Sequence, residues 1–216
     1  MKILNLYAGI GGNRKLWGDE HEVTAIEIDA QIAKIYQDFF PNDKVIVTDA
    51  HQFLLEHYKE FDFIWSSPPC PSHSRLRKGF SMSVGARSLF PDMKLYEEII
   101  FLEGYFKGKW VVENVKPYYK PLIEAQEVDR HYFWGNFIIP NKSIKKIIIP
   151  LPGDRKNDLE EKEMVRMLQE KHGFNIEKYK LPFQKKRYLL RNCVNSEIGL
   201  HIFKCAFKIK QVTLSD

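Results

Sequence analysis

Cys70 stands in the run SSPPCPSHS, residues 66–74, with prolines on both sides. An ionised thiol is a strong nucleophile, and a proline-bracketed backbone continues neither a helix nor a central strand, so the sequence sets this cysteine in a polar loop. Cys193 and Cys205 lie in or beside an apolar helical pattern and read as small buried side chains. Glu113, followed by Asn114 in VVENVKP, ends an apolar run. By itself it is a strand terminator, whereas beside a nucleophile its carboxyl group can donate or accept a proton. Ala8-Gly9-Ile10-Gly11-Gly12 is a glycine turn, which lets a backbone take φ > 0 and approach a ligand closely. Glu27 ends the run VTAIEI, where a carboxylate can accept two hydrogen bonds from a vicinal diol such as a ribose. Asp29 reads as a helix cap, and Asp49 takes the place equivalent to Glu27 after the next strand, for the amino group of an adenine.

Positioning these groups calls for alternating strands and helices. Lys2 to Tyr7, Val23 to Ile28, Lys44 to Val47, Phe61 to Trp65 and Trp110 to Glu113 are short apolar runs that predict strands. Helices are predicted from the glycine turn through Trp17, over Ala30 to Phe39 ahead of Pro41, and over Ala50 to Tyr58. Leu95, Ile99, Leu102 and Phe106 recur at spacings of four, three and four, which predicts an amphipathic helix over Asp92 to Phe106. Ser66 to Pro91 is a long irregular stretch and a candidate functional loop. Gln126 to Phe137 contains a further extended segment. LEEKEMVRMLQEKHG predicts a helix closed by Gly173, and Val194 to Phe207 a last amphipathic one. This order is that of a βαβ protein with a parallel sheet, whose ligand groups sit at the carboxyl ends of the strands.

The 216 residues, 44% of them apolar, exclude disordered and fibrous classes, and the length suits one domain with a small appendage. No run of about 18 apolar residues is present, and MKILNLYAGIGG lacks the form of a signal peptide, so the expectation is a cytoplasmic protein with no membrane partner. Three cysteines without a CxxC pair indicate neither a disulfide framework nor a zinc knuckle, and no metal is expected. Charge is divided: residues 1–70 carry a net −5 and residues 71–216 a net +10. The basic part favours phosphates.

LYAGIGG, the glutamate of IEID, TDA, SSPPCPSHS and VVENV, in this order, resemble successive motifs of the cytosine-5 methyltransferases that use S-adenosylmethionine. Gln126-Glu127-Val128-Asp129-Arg130 is similar to the family's Gln-x-Arg-x-Arg motif, and Arg191-Asn192-Cys193-Val194 to its Gly-Asn-x-Val motif. The resemblance implies a Rossmann-like class I methyltransferase fold, a mostly parallel twisted sheet with helices on both faces and a small target-recognition appendage. It assigns residues 1–137 to the catalytic and cofactor-binding core, 138–186 to a reduced recognition region, and 187–216 to a segment returning to the core.

By the same resemblance Cys70 is the nucleophile that adds to carbon 6 of cytosine, Glu113 bonds ring nitrogen 3 and the exocyclic amine, and Arg130 holds the carbonyl oxygen. Tyr7, Ala8, Gly9, Ile10, Gly11, Glu27, Ile28, Asp49, Ala50, Pro69, Asn192 and Val194 match cofactor-contacting positions. Ser74, Arg75, Arg77, Lys78 and Arg87 after the cysteine, with Lys185, Lys186 and Arg187, are expected to meet the nucleic acid. The implied substrate is a flipped-out cytosine in double-stranded DNA, the product S-adenosylhomocysteine, and the implied assembly a monomer, with a cognate restriction enzyme or specificity partner as candidate companion. An RNA cytosine methyltransferase shares these motifs. A non-catalytic relative retaining the fold is disfavoured because Cys70, Glu113 and Arg130 are all present. Two positions depart from the pattern: Val128 stands for the first arginine and Arg191 for the glycine.

Overall fold

The computed structural model of the chain describes residues 1–75, 90–142 and 161–207. Five parallel strands, β1 (Lys2–Leu6), β2 (Glu22–Glu27), β3 (Lys44–Val47), β4 (Phe63–Ser66) and β5 (Lys109–Val115), are followed by β6 (Gln126–Val128) and β7 (His131–Gly135). The order across the sheet is β3-β2-β1-β4-β5-β7-β6, with β7 antiparallel to both β5 and β6. Strand order reverses between β1 and β4, and a crevice at such a reversal is where open α/β sheets take their ligands.

Period-two alternation divides each central strand between two cores. Ile3, Val23, Phe63, Trp65 and Val111 face α6 (Ser196–Phe207) through Ile198, Ile202 and Phe203. Trp17 stacks on Phe203 there, ring centroids 5.2 Å apart. Leu4, Leu6, Ile26, Ile64 and Val112 face α2 (Ala50–His57) and α3 (Lys94–Tyr105) through Leu54, Leu95, Ile99 and Leu102. Each fully buried Leu or Ile contributes roughly 1.5–3 kcal/mol, so these two layers hold the sheet's strand ends in register.

The helix expected after the glycine turn is only a 3-10 turn, Arg14–Leu16. Its side chains are drawn apart. Arg14 is buried and donates to Asp43 at 2.9 and 3.0 Å, while the Lys15 ammonium donates to the His172 carbonyl at 2.7 Å. Gly18 at φ +91 then turns the chain toward β2.

Beyond residue 142, the stretch expected to form the appendage is described from residue 161 onward. Helix α4 (Glu161–His172), closed by Gly173 at φ +64, and α5 (Phe183–Arg191) bury Met164, Val165, Leu168, Leu189 and Leu190 against Ile32, Ile35 and Tyr36 of α1 (Ala30–Phe39). Through this third apolar cluster the apolar face of α4 is covered by α1 and α5. Among the described residues no helix is long and apolar enough to cross a membrane.

Candidate active site and cofactor cleft

The carboxyl ends of β1, β2, β3 and β4 open onto one cleft. Tyr7, Glu27, Ile28, Asp49, Ala50 and Pro69 line it, and Pro68, His73, Asp92, Lys94 and Leu95 complete its wall. The glycine turn is fixed from below and open above. Ala8 and Ile10 are buried in the core. Gly11, at φ +82, lies where a Cβ would stand 2.2 Å from the Phe40 ring, so glycine is required there. Gly9, at φ +54, has nothing within 4 Å of a Cβ position, which leaves its backbone approachable from the cleft. Glu27 receives the Gly9 N–H at 3.0 Å and the Asp29 N–H at 2.9 Å.

Asp29 caps α1 as expected, accepting from Gln31 and Ile32, and Asp49 caps α2 through Gln52 at 2.8 Å. A cap uses one carboxylate oxygen, so the other Asp49 oxygen remains available to the cleft it lines. Ile28 is 69% exposed at the cleft, an apolar surface of the kind a purine face covers. The last motif meets the same turn: a Cβ on Gly12 would stand 2.3 Å from the Cys193 sulfur and 2.4 Å from the Val194 carbonyl. Val194 is buried in the core and Asn192 caps α5 at the surface.

Cys70 is half-buried, and its carbonyl accepts the His73 and Ser74 amides at 3.0 Å each, closing a single turn. Burial, reinforced by the charge of Glu113, pushes its thiol up to about 11. Glu113 is buried at the end of β5, and His131 Nε2 lies 3.6 Å from its carboxylate. Thiol and carboxyl group are thus electrostatic neighbours, one on the loop after β4 and one on the adjacent strand. Asn114 is buried and donates to the Pro68 carbonyl at 2.9 Å, so β5 also holds the proline-cysteine loop. Burial pushes the Cys193 thiol up to about 12, and Cys205 is buried in α6, consistent with inert packing for both.

Arg130 stands at the β6–β7 turn with 71% of its side chain exposed, 3.8 Å from Asp129. Its charge is felt by Lys171, His172 and Arg191, so turn, α4 and α5 gather a basic face. Burial, aided by Lys171, Lys15 and Arg130, holds His172 down to about 4.

Ser74 pairs with Pro117 in an isolated bridge and Arg75 Nε donates to the Pro117 carbonyl at 2.9 Å. Arg77, Lys78 and Arg87 lie outside the described residues. The three late cations expected at the nucleic acid are engaged within the chain. Lys186 is 6% exposed and bonds Glu177 at 3.0 Å, which corrects its assignment, since a buried ammonium already paired has no face for a phosphate. Lys185 donates to Asp29 and Gln31, at 2.9 and 2.8 Å, and Arg187 lies 3.7 Å from Glu161.

Sequence reasoning missed His131, Lys171 and a buried polar group around Glu98. Glu98 carried a signal, because it falls one turn from both Leu95 and Leu102 on the apolar face of α3. His131 carried none.

Residues 1–117, more than half of the chain, match the model of the family described as C-5 cytosine-specific DNA methylase. Type II methyltransferase M.Bsp6I of Bacillus sp. (strain RFL6) is 33% identical over 113 residues, 48% of this chain and 36% of that protein. The matched part thus spans about a third of the length of that relative. Two solved structures share the fold over 96% of the chain. A triple-alanine variant of Spodoptera frugiperda DNMT2 is matched over 99% of its chain with TM-score 0.61 and 17% identity. The methyltransferase EhMeth of Entamoeba histolytica is matched over 98% with TM-score 0.57 and 10% identity. The sheet order, the cleft at the strand reversal and the motifs of residues 1–117 thereby agree, and the chain belongs to the C-5 cytosine-specific DNA methylase family.

Proposed function

We propose that the chain methylates carbon 5 of cytosine in double-stranded DNA, with S-adenosylmethionine as methyl donor. The observation that carries this reading is the pairing of Cys70 with Glu113 on adjoining elements, beside a cleft lined by Tyr7, Glu27 and Asp49.

The cleft's residues suit that donor. Glu27 offers a carboxylate to a ribose diol, Asp49 an acceptor to an adenine amine, Ile28 an exposed apolar surface to the purine, and Gly9 an unobstructed backbone. Pro69 closes the wall next to Cys70. When bound, the donor supplies a methyl group on a sulfonium, activated without a metal. Among the described residues no cluster of His, Cys, Asp and Glu is arranged to hold a metal ion.

Chain residues would act on the cytosine as follows. The base leaves the stack, at a cost of a few kcal/mol, because its reacting atoms are inaccessible within the duplex. Glu113, protonated or sharing a proton, donates to ring nitrogen 3 and accepts from the exocyclic amine, which draws electron density from carbon 6. The Cys70 thiol gives up its proton to solvent, and its sulfur bonds carbon 6 as the carbon 5–carbon 6 π bond opens, leaving carbon 5 nucleophilic. After carbon 5 is methylated, its proton passes to solvent, the carbon 6–sulfur bond breaks to release the Cys70 thiolate, and the aromatic ring is restored. Arg130 holds the cytosine carbonyl oxygen, where negative charge develops. Target recognition falls to residues 138–186, with Arg75, Lys171 and Arg191 meeting the backbone.

Bisulfite sequencing of plasmid DNA from cells producing the chain tests the reaction and reads out the target. Protected cytosines at one short sequence are the expected result, abolished by Cys70→Ala. Unmodified plasmid with methylated cellular RNA would transfer the same chemistry to RNA, and absence of both would overturn it.

A further inference from the structure

Glu98 is a carboxylate with no exposure, on the inner face of α3, and its partners come from three other elements. Oε1 accepts the Tyr7 hydroxyl at 2.6 Å and lies 3.1 Å from His51 Nδ1, and Oε2 accepts the Ser66 hydroxyl at 2.6 Å. Tyr7 follows β1, His51 opens α2 and Ser66 ends β4. Each partner is next to the cleft wall or part of it. Tyr7 lines the cleft, His51 follows Asp49 and Ala50, Ser66 precedes Pro68 and Pro69, and Leu95 lies one turn before Glu98. Among the described residues Tyr7 is also one of two non-glycine residues with positive φ, at +55, a conformation that costs a bulky side chain of order 1–3 kcal/mol and persists only when its surroundings impose it.

A buried carboxylate needs a full set of partners, and hydrogen bonds to a charged group are the strong ones. Here those partners are the segments that shape the cleft. We propose that Glu98, with His51 as its cationic partner, is a positioning residue that holds Tyr7 in its left-handed conformation and sets the cleft for the cofactor. This rests on the cofactor reading above.

The group also predicts a pH dependence. The hydrogen bond to Glu98 raises the His51 pKa against the opposing effect of burial, with Glu97 raising it further and Lys94 lowering it. Glu97 lies 3.5 Å from His51 Nε2. These charges all belong to α3; Tyr7 from the β1 turn and Ser66 from β4 are the other polar groups on Glu98. Below the raised pKa His51 is charged and the four-element tie is complete. As pH rises through that value the imidazolium is lost and the tie loosens, so cofactor affinity should fall.

Calorimetric titration of S-adenosylhomocysteine into wild-type, Glu98→Gln, Tyr7→Phe and doubly substituted protein, between pH 6 and 9, tests this. A glutamine cannot accept from all three partners, so affinity should fall about tenfold or more, and Tyr7→Phe should cost about tenfold. The double variant should lose no more than Glu98→Gln alone, and the decline of affinity with pH should flatten in Glu98→Gln. A merely structural glutamate would leave that profile unchanged. Wild-type affinity and pH profile in both single variants, or additive losses in the double, would overturn the inference. If Glu98→Gln does not fold, Tyr7→Phe decides, since it removes only one hydroxyl. No binding by wild-type protein would overturn the cofactor reading and this inference together, whereas binding unaffected by the variants overturns the inference alone.

Discussion

Glu27 accepts the backbone N–H of Gly9 at 3.0 Å, so the end of β2 fixes the turn that follows β1. Its other oxygen receives the Asp29 amide at 2.9 Å. In Glu27→Gln one of those amides would face an NH2 group, at a cost of about 1–3 kcal/mol. The variant should lose at least tenfold in affinity for S-adenosylhomocysteine by calorimetry, and roughly 1–2 kcal/mol in urea denaturation. Full affinity with reduced stability would leave Glu27 a brace of the turn and nothing more.

Two glycines of that turn should separate stability from binding. Alanine at Gly12 would put a methyl group 2.3 Å from the Cys193 sulfur and 2.4 Å from the Val194 carbonyl, forcing apart two backbone segments. Overpacking of this kind costs about 1–3 kcal/mol, so Gly12→Ala should lower the denaturation midpoint clearly. Gly9→Ala meets open space and carries only the left-handed penalty, about 1–2 kcal/mol. With the cofactor lying against this turn, it should reduce cofactor affinity out of proportion to stability. The opposite ranking would mean that Gly9 does not face the ligand.

Much of this arrangement was legible in the residues. Strand β3 and helix α1 fall where apolar runs and the stop before Pro41 put them, because local periodicity and capping by Asp29 agree with the tertiary packing. The short turn at Arg14–Leu16 was not legible, since the pull of Asp43 on Arg14 comes from 29 residues away. Charge count misled at Lys186 for a related reason: a lysine on an amphipathic helix contributes to a basic composition whether it meets solvent or, as here, Glu177. The motif order placed Cys70 and Glu113 on neighbouring elements, but Glu98 needed the fold, which brings Tyr7, His51 and Ser66 to it.

Cys70 should be slow to alkylate at neutral pH. With its thiol pushed up to about 11 by burial and by Glu113, the reactive thiolate is a minor species at pH 7, and the iodoacetamide rate should rise through pH 9 and beyond. Removing the carboxylate charge in Glu113→Gln takes away the smaller of the two causes, so the profile should shift to lower pH while methyl transfer is lost. A variant with faster alkylation and no transfer would show that Glu113 serves the base rather than the thiol. An unshifted profile would mean that burial alone sets the thiol.

The basic face gives the last prediction. Arg130 on the β6–β7 turn, Lys171 on α4 and Arg191 on α5 are like charges in mutual range, and burial with that repulsion lowers the pKa of both Lys171 and Arg191. Like charges gathered on one face are unfavourable until an anion joins them, and a phosphodiester backbone supplies a row of anions. For DNA binding measured by fluorescence anisotropy at several salt concentrations, each of Lys171→Ala and Arg191→Ala should lower the magnitude of the slope of log K against log salt by about 1. Lys186→Ala removes a charge already bonded to Glu177, so it should lower stability and leave the slope unchanged. The reverse pattern, a slope sensitive to Lys186 and indifferent to Lys171 and Arg191, would place the backbone along α5's other side and return the recognition role to the 183–187 cations.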